Sequence, residues 1–191
     1  MSYRHAKLNR GTTYLGHMER YCVKFGNCVH LLPAVVIILR FLLEVWGTMK
    51  ARIKWVQDAM FLAESGSGHA VLMDGPPDHG GRNVGVRPME MLLMGLGGCT
   101  SFDVMSILKK SRQEVEDCVA ELSAERADEV PAVFTKIHVH FVVKGKGLKE
   151  AVVKRAVDLS AEKYCSASIM LEKAGVEITH DFEIIDTATP V

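Results

Sequence analysis

The sequence predicts an α+β domain, and three observations carry that prediction. Several short segments alternate charged and apolar residues with period two, as half-buried strands do. One apolar stretch, residues 87–112, is too long for a strand and reads as a helix buried nearly all round. The segments follow one another as βββ-α-ββ-αα-β, with strands and helices partly segregated. The 191 residues are enough for one good-sized domain or two small ones, and at 48% hydrophobic they can fill a core.

Residues 1–48 stand apart from the rest. They carry six Lys/Arg against two Asp/Glu, whereas the remainder carries seventeen against twenty-one. Residues 31–46 are apolar but hold Pro33, Arg40 and Glu44, too short and too charged a run for a spanning helix of about 20 residues. No small-residue cleavage site follows, so the run is a poor signal peptide. Cys22, Cys28 and His30 have no recognised metal-binding spacing. The segment reads as an extension foreign to the fold. Met49 is the expected true start, and residues 49–191 the expected domain.

Residues 50–56 (K-A-R-I-K-W-V) alternate as a first strand, and Gln57-Asp58 turns the chain. Residues 60–64 and 69–74 supply the other strands of an antiparallel meander, joined by Ser65-Gly66-Ser67-Gly68. The Gly- and Pro-rich residues 75–87 form a loop expected to make a lid or mouth near Cys99. Pro88 suits the first turn of the central helix, where a missing N–H costs nothing. Glu90 suits its positive end, and Lys109, Lys110 and Arg112 its negative end. Gly95, Gly97 and Gly98 each cost about 1 kcal/mol relative to Ala in a helix interior, so close approach of another element is expected there.

Residues 115–125 form a long strand containing Cys118, an inert thiol by its surroundings. Residues 134–143 form the clearest strand, with His138 and His140 on one face as two partly exposed strand histidines. Residues 148–174 begin as a second helix, which the small run Cys165-Ser166-Ala167-Ser168 is expected to bend or restart. Gly175 is placed to cap it, and residues 176–185 are the last strand.

Composition narrows the function. The mildly acidic body has no run of four basic residues, which excludes the footprint of nucleic-acid binding. No dinucleotide or phosphate-loop glycine motif is present. Five cysteines, an odd count without framework spacing, point to a reduced, cytoplasmic chain. No membrane association and no metal are expected.

Cys99 and Cys165 each lie amid apolar and small residues on a helical segment. A thiol is a good nucleophile only as its thiolate. If the two meet, one thiolate attacks the O–O bond of a peroxide and becomes a sulfenic acid. The other condenses with it to a disulfide, and an external dithiol resets the pair. Spacing alone favours the plainer reading, in which both are small buried hydrophobes.

The segment P-M-E-M-L-L-M-G-L-G-G-C-T-S-F-D-V from Pro88, followed by A-E-K-Y-C-S around Cys165, resembles the OsmC/Ohr superfamily. These are osmotically inducible and organic-hydroperoxide-resistance proteins. K-A-R-I-K-W, P-M-E-M, G-G-C, D-L-S-A-E-K-Y-C-S and the closing I-T-H-D-F-E are similar to its YhfA-like branch. The likeness covers residues 49 to about 186 and leaves residues 1–48 unmatched. It implies an OsmC-like, intertwined homodimer with an antiparallel sheet, two long central helices and active sites at the subunit interface. It also implies a cysteine-based organic hydroperoxide reductase of oxidative-stress defence. Cys99 would be peroxidatic and Cys165 resolving, with a lipoyl or other small dithiol as reductant and no bound cofactor.

Departures from the family pattern qualify the activity. Characterised peroxidases of the family carry an Arg paired with a Glu that activates the thiolate, and that Glu directly follows the helix proline. Here Met89 holds that place and Glu90 comes one residue later, turned by about 100° on a helix. Gln57-Asp58 occupies the usual neighbourhood of the Arg, so Arg87, Arg52 and Arg82 are substitutes by chemistry only. Asp103, one turn after Cys99, opposes thiolate formation if it faces the same pocket. Met94, Phe102, Ile169 and Met170 are candidates to line a pocket for the alkyl part of a hydroperoxide, or else plain core. The departures keep two alternatives open: a redox-sensing or small-ligand-binding dimer without efficient turnover, and a metal or ligand carrier using Cys99, Cys165 and a histidine.

Overall fold

The computed structural model describes residues 49–188, and the expectations for residues 1–48 lie outside them. Arg52–Glu64 and the chain from Gly68 onward form one compact unit. The element order is the expected one. Strands β1 (Ala51–Gln57), β2 (Met60–Ser65) and β3 (Ala70–Met73) make a three-stranded sheet in that order. Strands β2 and β3 pair antiparallel, from Phe61 opposite Met73 to Glu64 opposite Ala70. Asp58 turns β1 into β2 with φ of 47°, a left-handed position that short polar side chains tolerate.

The helix α1 spans Pro88–Lys110 and leads into β4 (Glu114–Arg126) and β5 (Phe134–Lys146), an antiparallel pair. The chain then forms α2 (Glu150–Leu159), one π-helical turn (Ser160–Tyr164), α3 (Ser166–Lys173) and β6 (Glu177–Asp186). The second helical segment is thus two helices, restarted at Cys165 within the small run the sequence marks. Strand β6 joins β5 in parallel, with Ile137 opposite Ile178. A parallel pair needs a long crossover, and α2, the π-turn and α3 supply it.

The core lies between the helices and one face of the β4-β5-β6 sheet. Phe134, Ile137, Val139, Phe141 and Val143 of β5 are all buried. From Ile137 to Val143 they follow the period of two that a strand buried on one face requires. Val153, Ala156 and Val157 of α2 close over them, and Leu96, Val104 and Leu108 of α1 complete the cluster.

The expectation that α1 is buried nearly all round is corrected here. Only Leu96, Gly97, Thr100, Val104 and Leu108 are buried. At about 100° per residue these occupy one side of the helix. Leu92, Met94 and Phe102 lie on the other side and are exposed, Phe102 by 74%. The helix is apolar all round, yet one chain covers only half of it. By length and composition alone α1 could also cross a membrane.

The glycines divide in the same way. A methyl group at Gly97 would lie 2.8 Å from Leu122 Cδ1, so the sheet approaches closely there. Methyl groups at Gly95 and Gly98 would meet nothing within 4 Å.

Candidate active site: two thiols and a carboxylate

Three local features bring the two thiols together. Cys99 lies mid-helix on α1, at the seam between its buried face and its outer apolar face. The π-turn is the second feature: it gives the chain an extra residue within a helical turn, and such bulges recur at functional sites. Third, the turn is pinned to α1 by a buried pair of hydroxyls. Thr100 Oγ1 and Ser160 Oγ are 2.8 Å apart, and Ser160 Oγ also donates to the Thr100 carbonyl at 3.1 Å. Five residues on, Cys165 is the N-cap of α3, and its sulfur accepts the Ser168 N–H at 3.5 Å.

The result is a cluster in which the Cys99 sulfur, the Cys165 sulfur and an Asp103 carboxylate oxygen all lie within 4.8 Å of one another. Asp103 therefore does face the thiol pocket. Cys165 is fully buried and Cys99 half-buried, and neither forms a disulfide. Burial pushes the Cys165 thiol above its ordinary range, and the neighbouring Cys99 pushes the same way; bonds from Ser168 only partly offset this. Cys165 thus holds its proton at neutral pH. Cys118 lies elsewhere, on β4 opposite Val143, and burial followed by Asp117 raises its thiol too.

Ser160→Ala is expected to leave the Thr100 hydroxyl buried without its side-chain partner. That should cost about 1–3 kcal/mol of stability and slow any reaction joining the two sulfurs. Thermal melting and thiol oxidation kinetics of the variant check both effects.

The candidate activating residues are held elsewhere. Glu90 Oε2 accepts the Arg87 backbone N–H at 2.9 Å, and Oε1 accepts from the Arg87 guanidinium at 3.0 Å. The pair caps α1, as the sequence position of Glu90 suggests. Those Arg87 bonds, the backbone one first, hold the Glu90 carboxyl below its usual range. Twelve residues separate Arg87 from Cys99, roughly 18 Å along a helix, which is more than one side chain spans. Arg52 pairs with Glu64 at 2.6 Å, and Arg82 with Asp58 at 3.1 Å.

The loop expected near Cys99 lies at the N-terminal end of α1, away from the thiols. It is organised by buried Asp74, which accepts N–H groups from Gly75, Arg82 and Val84 at 2.8–3.2 Å. Burial alone would raise that carboxyl, but these three donors outweigh it and hold the acid below its usual range. With Arg87, Met89, Glu90, Leu93 and Phe134 the loop lines a cavity of about 500 Å³ that neither cysteine borders. A larger cavity, about 650 Å³, lies along β6 and α2 beside Lys154, Asp158 and His180, again without a cysteine. The candidate pocket residues are not core within one chain: Met94, Phe102 and Met170 are exposed and Ile169 is half-buried.

His138 and His140 do share a face of β5, and the parallel strand brings them a carboxylate. Asp181 Oδ1 lies 2.5 Å from His140 Nδ1 and 3.3 Å from His138 Nε2. The bond to Asp181 raises the His140 pKa above 6.5, and the same bond lowers that of Asp181 below 3.8. The histidine's share of stability is full below its unfolded value of 6.5 and is lost as pH rises through its higher folded value. The aspartate's share is lost only in acid. Asp181→Asn should therefore cost more stability at pH 5.5 than at pH 8.5, as denaturant melts of both proteins would show.

Comparison with known proteins decides the family. The model of the OsmC-like proteins matches residues 79–181. The chain is 55% identical to Protein YhfA of Escherichia coli K12 over 140 residues, covering 72% of this chain and 98% of that one. The chain belongs to the OsmC-like family. A structure described only as structural genomics is 52% identical, with a TM-score of 0.66 over 73% of this chain and 100% of the other. A hypothetical protein of Aquifex aeolicus VF5 is 29% identical, with a TM-score of 0.61 over 73% and 98%. An OsmC-like protein of unknown function from Vibrio cholerae shares the fold at 16% identity and a TM-score of 0.63, over 72% and 99%. The α+β class expected from the sequence is thus that of its OsmC-like relatives. The arginine–glutamate pair of the characterised peroxidases has no counterpart beside Cys99 among the described residues. The charged side chain that does lie beside both sulfurs is Asp103.

Proposed function

We propose that this OsmC-like chain is a two-cysteine hydroperoxide reductase that works as a homodimer. The carrying observation is the approach of the two sulfurs to within 4.8 Å with unequal access. Half-buried Cys99 is the one a peroxide reaches, and fully buried, protonated Cys165 is suited to resolve it. The Cys99 thiolate attacks one peroxide oxygen, the O–O bond breaks, and an alcohol leaves as the sulfenic acid forms. The Cys165 sulfur then displaces that oxygen as water, giving a disulfide. A lipoyl or other small dithiol returns both thiols by exchange. Forming the bond requires the sulfurs to close to about 2.05 Å, a movement within reach of side-chain rotation.

Family membership supports the reaction class, because OsmC/Ohr proteins form a stress-related peroxidase family whose members are typically homodimers. The exposed face of α1 supports the dimer. A second copy laid on Leu92, Met94 and Phe102 would cover them and bring Cys99 to the edge of a shared apolar crevice. It would also be the source of any cation at the thiolate, since Arg52 and Arg87 of the same chain are engaged with their own carboxylates.

A second reading is favoured by Asp103. A carboxylate within 4.8 Å of both sulfurs repels a thiolate, as a redox-sensing or ligand-binding dimer without turnover would tolerate. Stopped-flow oxidation of the reduced protein by an alkyl hydroperoxide separates the two. The reductase reading expects oxidation much faster than that of free cysteine, with the reset faster by dihydrolipoamide than by a monothiol. A rate no greater than free cysteine supports the binding dimer.

A further inference from the structure

The three groups that meet at the seam of α1 also form a donor set, and it stands apart from the peroxide reading. Cys99 and Asp103 are four residues apart on one helix, the spacing at which two side chains lie one above the other. Cys165 reaches the same point from the N-cap of α3, and the two sulfurs and a carboxylate oxygen lie within 4.8 Å of one another. From this geometry we infer that the reduced protein binds one zinc ion per chain through Cys99, Asp103 and Cys165, with the fourth position left open.

The chemistry of the donors selects the ion. Thiolates favour soft or borderline metals, and two sulfurs with one carboxylate suit tetrahedral zinc and leave magnesium or calcium ill served. Zn–S bonds of about 2.3 Å place tetrahedral ligand sulfurs about 3.8 Å apart, so the donors need close by only about 1 Å. Binding breaks the two S–H bonds and forms two Zn–S bonds and one Zn–O bond. Two protons pass to solvent and no oxidation state changes. A divalent cation offsets the charge of the two thiolates and the carboxylate as the protons leave, and no ion pair among the described residues occupies Asp103. The supporting shell is in place: Ser168 N–H already orients the Cys165 sulfur, and the Thr100–Ser160 hydroxyl pair fixes the turn that presents it. Zinc and a hydroperoxide then compete for one pair of thiols, so bound zinc protects them and oxidation to the disulfide ejects the metal.

Cobalt(II) titration of the reduced full chain tests this by spectroscopy, without reference to turnover. The expected result is one cobalt per chain, with thiolate-to-cobalt charge transfer, the intense visible bands of tetrahedral cobalt, and displacement by zinc. C22S/C28S/C118S should bind as the parent does. C99S and C165S should each lose most of the charge-transfer intensity. D103N should bind at least about tenfold more weakly, while D103E recovers part of the loss; unchanged thermal melts establish that each variant is folded. Absence of a charge-transfer band, its survival in C99S/C165S, its loss in C22S/C28S/C118S, or undiminished binding by D103N each overturns the inference. Failure of the protein to react with peroxide would leave all of these readouts intact.

Discussion

Cys99→Ser is expected to reduce hydroperoxide consumption to the rate of buffer alone. Cys165→Ser is expected to leave the first turnover intact and abolish the second. The difference follows from where each sulfur sits. Cys99, half-buried on the seam of α1, is the sulfur open to an incoming peroxide, whereas Cys165 is sealed beneath it and keeps its proton. Without Cys165 the sulfenic acid has no thiol within reach among the described residues, since Cys118 lies on β4 outside the cluster. It should persist until trapped by a sulfenic-acid reagent or until a second peroxide drives it to sulfinic acid. One equivalent of hydroperoxide per chain, followed by intact-mass analysis, checks this. The parent should lose two hydrogens, Cys165→Ser should gain one oxygen, and Cys99→Ser should be unchanged.

The other large effect is expected from Phe102→Glu. Phe102 is 74% exposed on a helix face that also carries Leu92, Met94 and two glycines whose outer side is open. Where a chain is in water, an exposed apolar stripe of this kind is expected to be an interface. Glycine lets a second backbone approach closely, which would offset its cost of about 1 kcal/mol in a helix. Burying a glutamate at the centre of that contact should cost about 2 kcal/mol or more, roughly thirtyfold in dissociation constant. Sedimentation velocity should find the parent as a dimer and Phe102→Glu shifted toward monomer, with Cys99 oxidation slowed in parallel. If α1 faced water, the substitution would leave the oligomeric state unchanged and Gly98→Ala would stabilise the chain by about 1 kcal/mol.

Most of the fold was legible because period and punctuation agree in this sequence. The strand alternation at residues 50–56 and 134–143, the proline at the start of α1 and Gly175 after α3 each report a local conformation, and each element formed within a few residues of its expected bounds. What escaped was non-local. Nothing in the sequence says that β6 pairs with β5 in parallel, so the carboxylate of Asp181 beside His138 and His140 could not be anticipated. The half-exposure of α1 escaped for a different reason: its residues are apolar all round, and apolarity does not distinguish a core from a face awaiting another chain. The meeting of Cys99 with Cys165 came from the family resemblance, since 65 intervening residues carry no signal of proximity. Asp103 was legible as a conditional only. Its helical spacing put it one turn from Cys99, but which side of α1 faces the π-turn is decided by packing.

The most direct test of the two-thiol account is a peptide map of the protein after one equivalent of alkyl hydroperoxide, digested without reductant. The account predicts a single new cross-link, Cys99 to Cys165 within one chain, formed in step with peroxide loss and reversed by a dithiol. Recovery of both peptides as free thiols, or of Cys99 as sulfinic acid with Cys165 untouched, would contradict it.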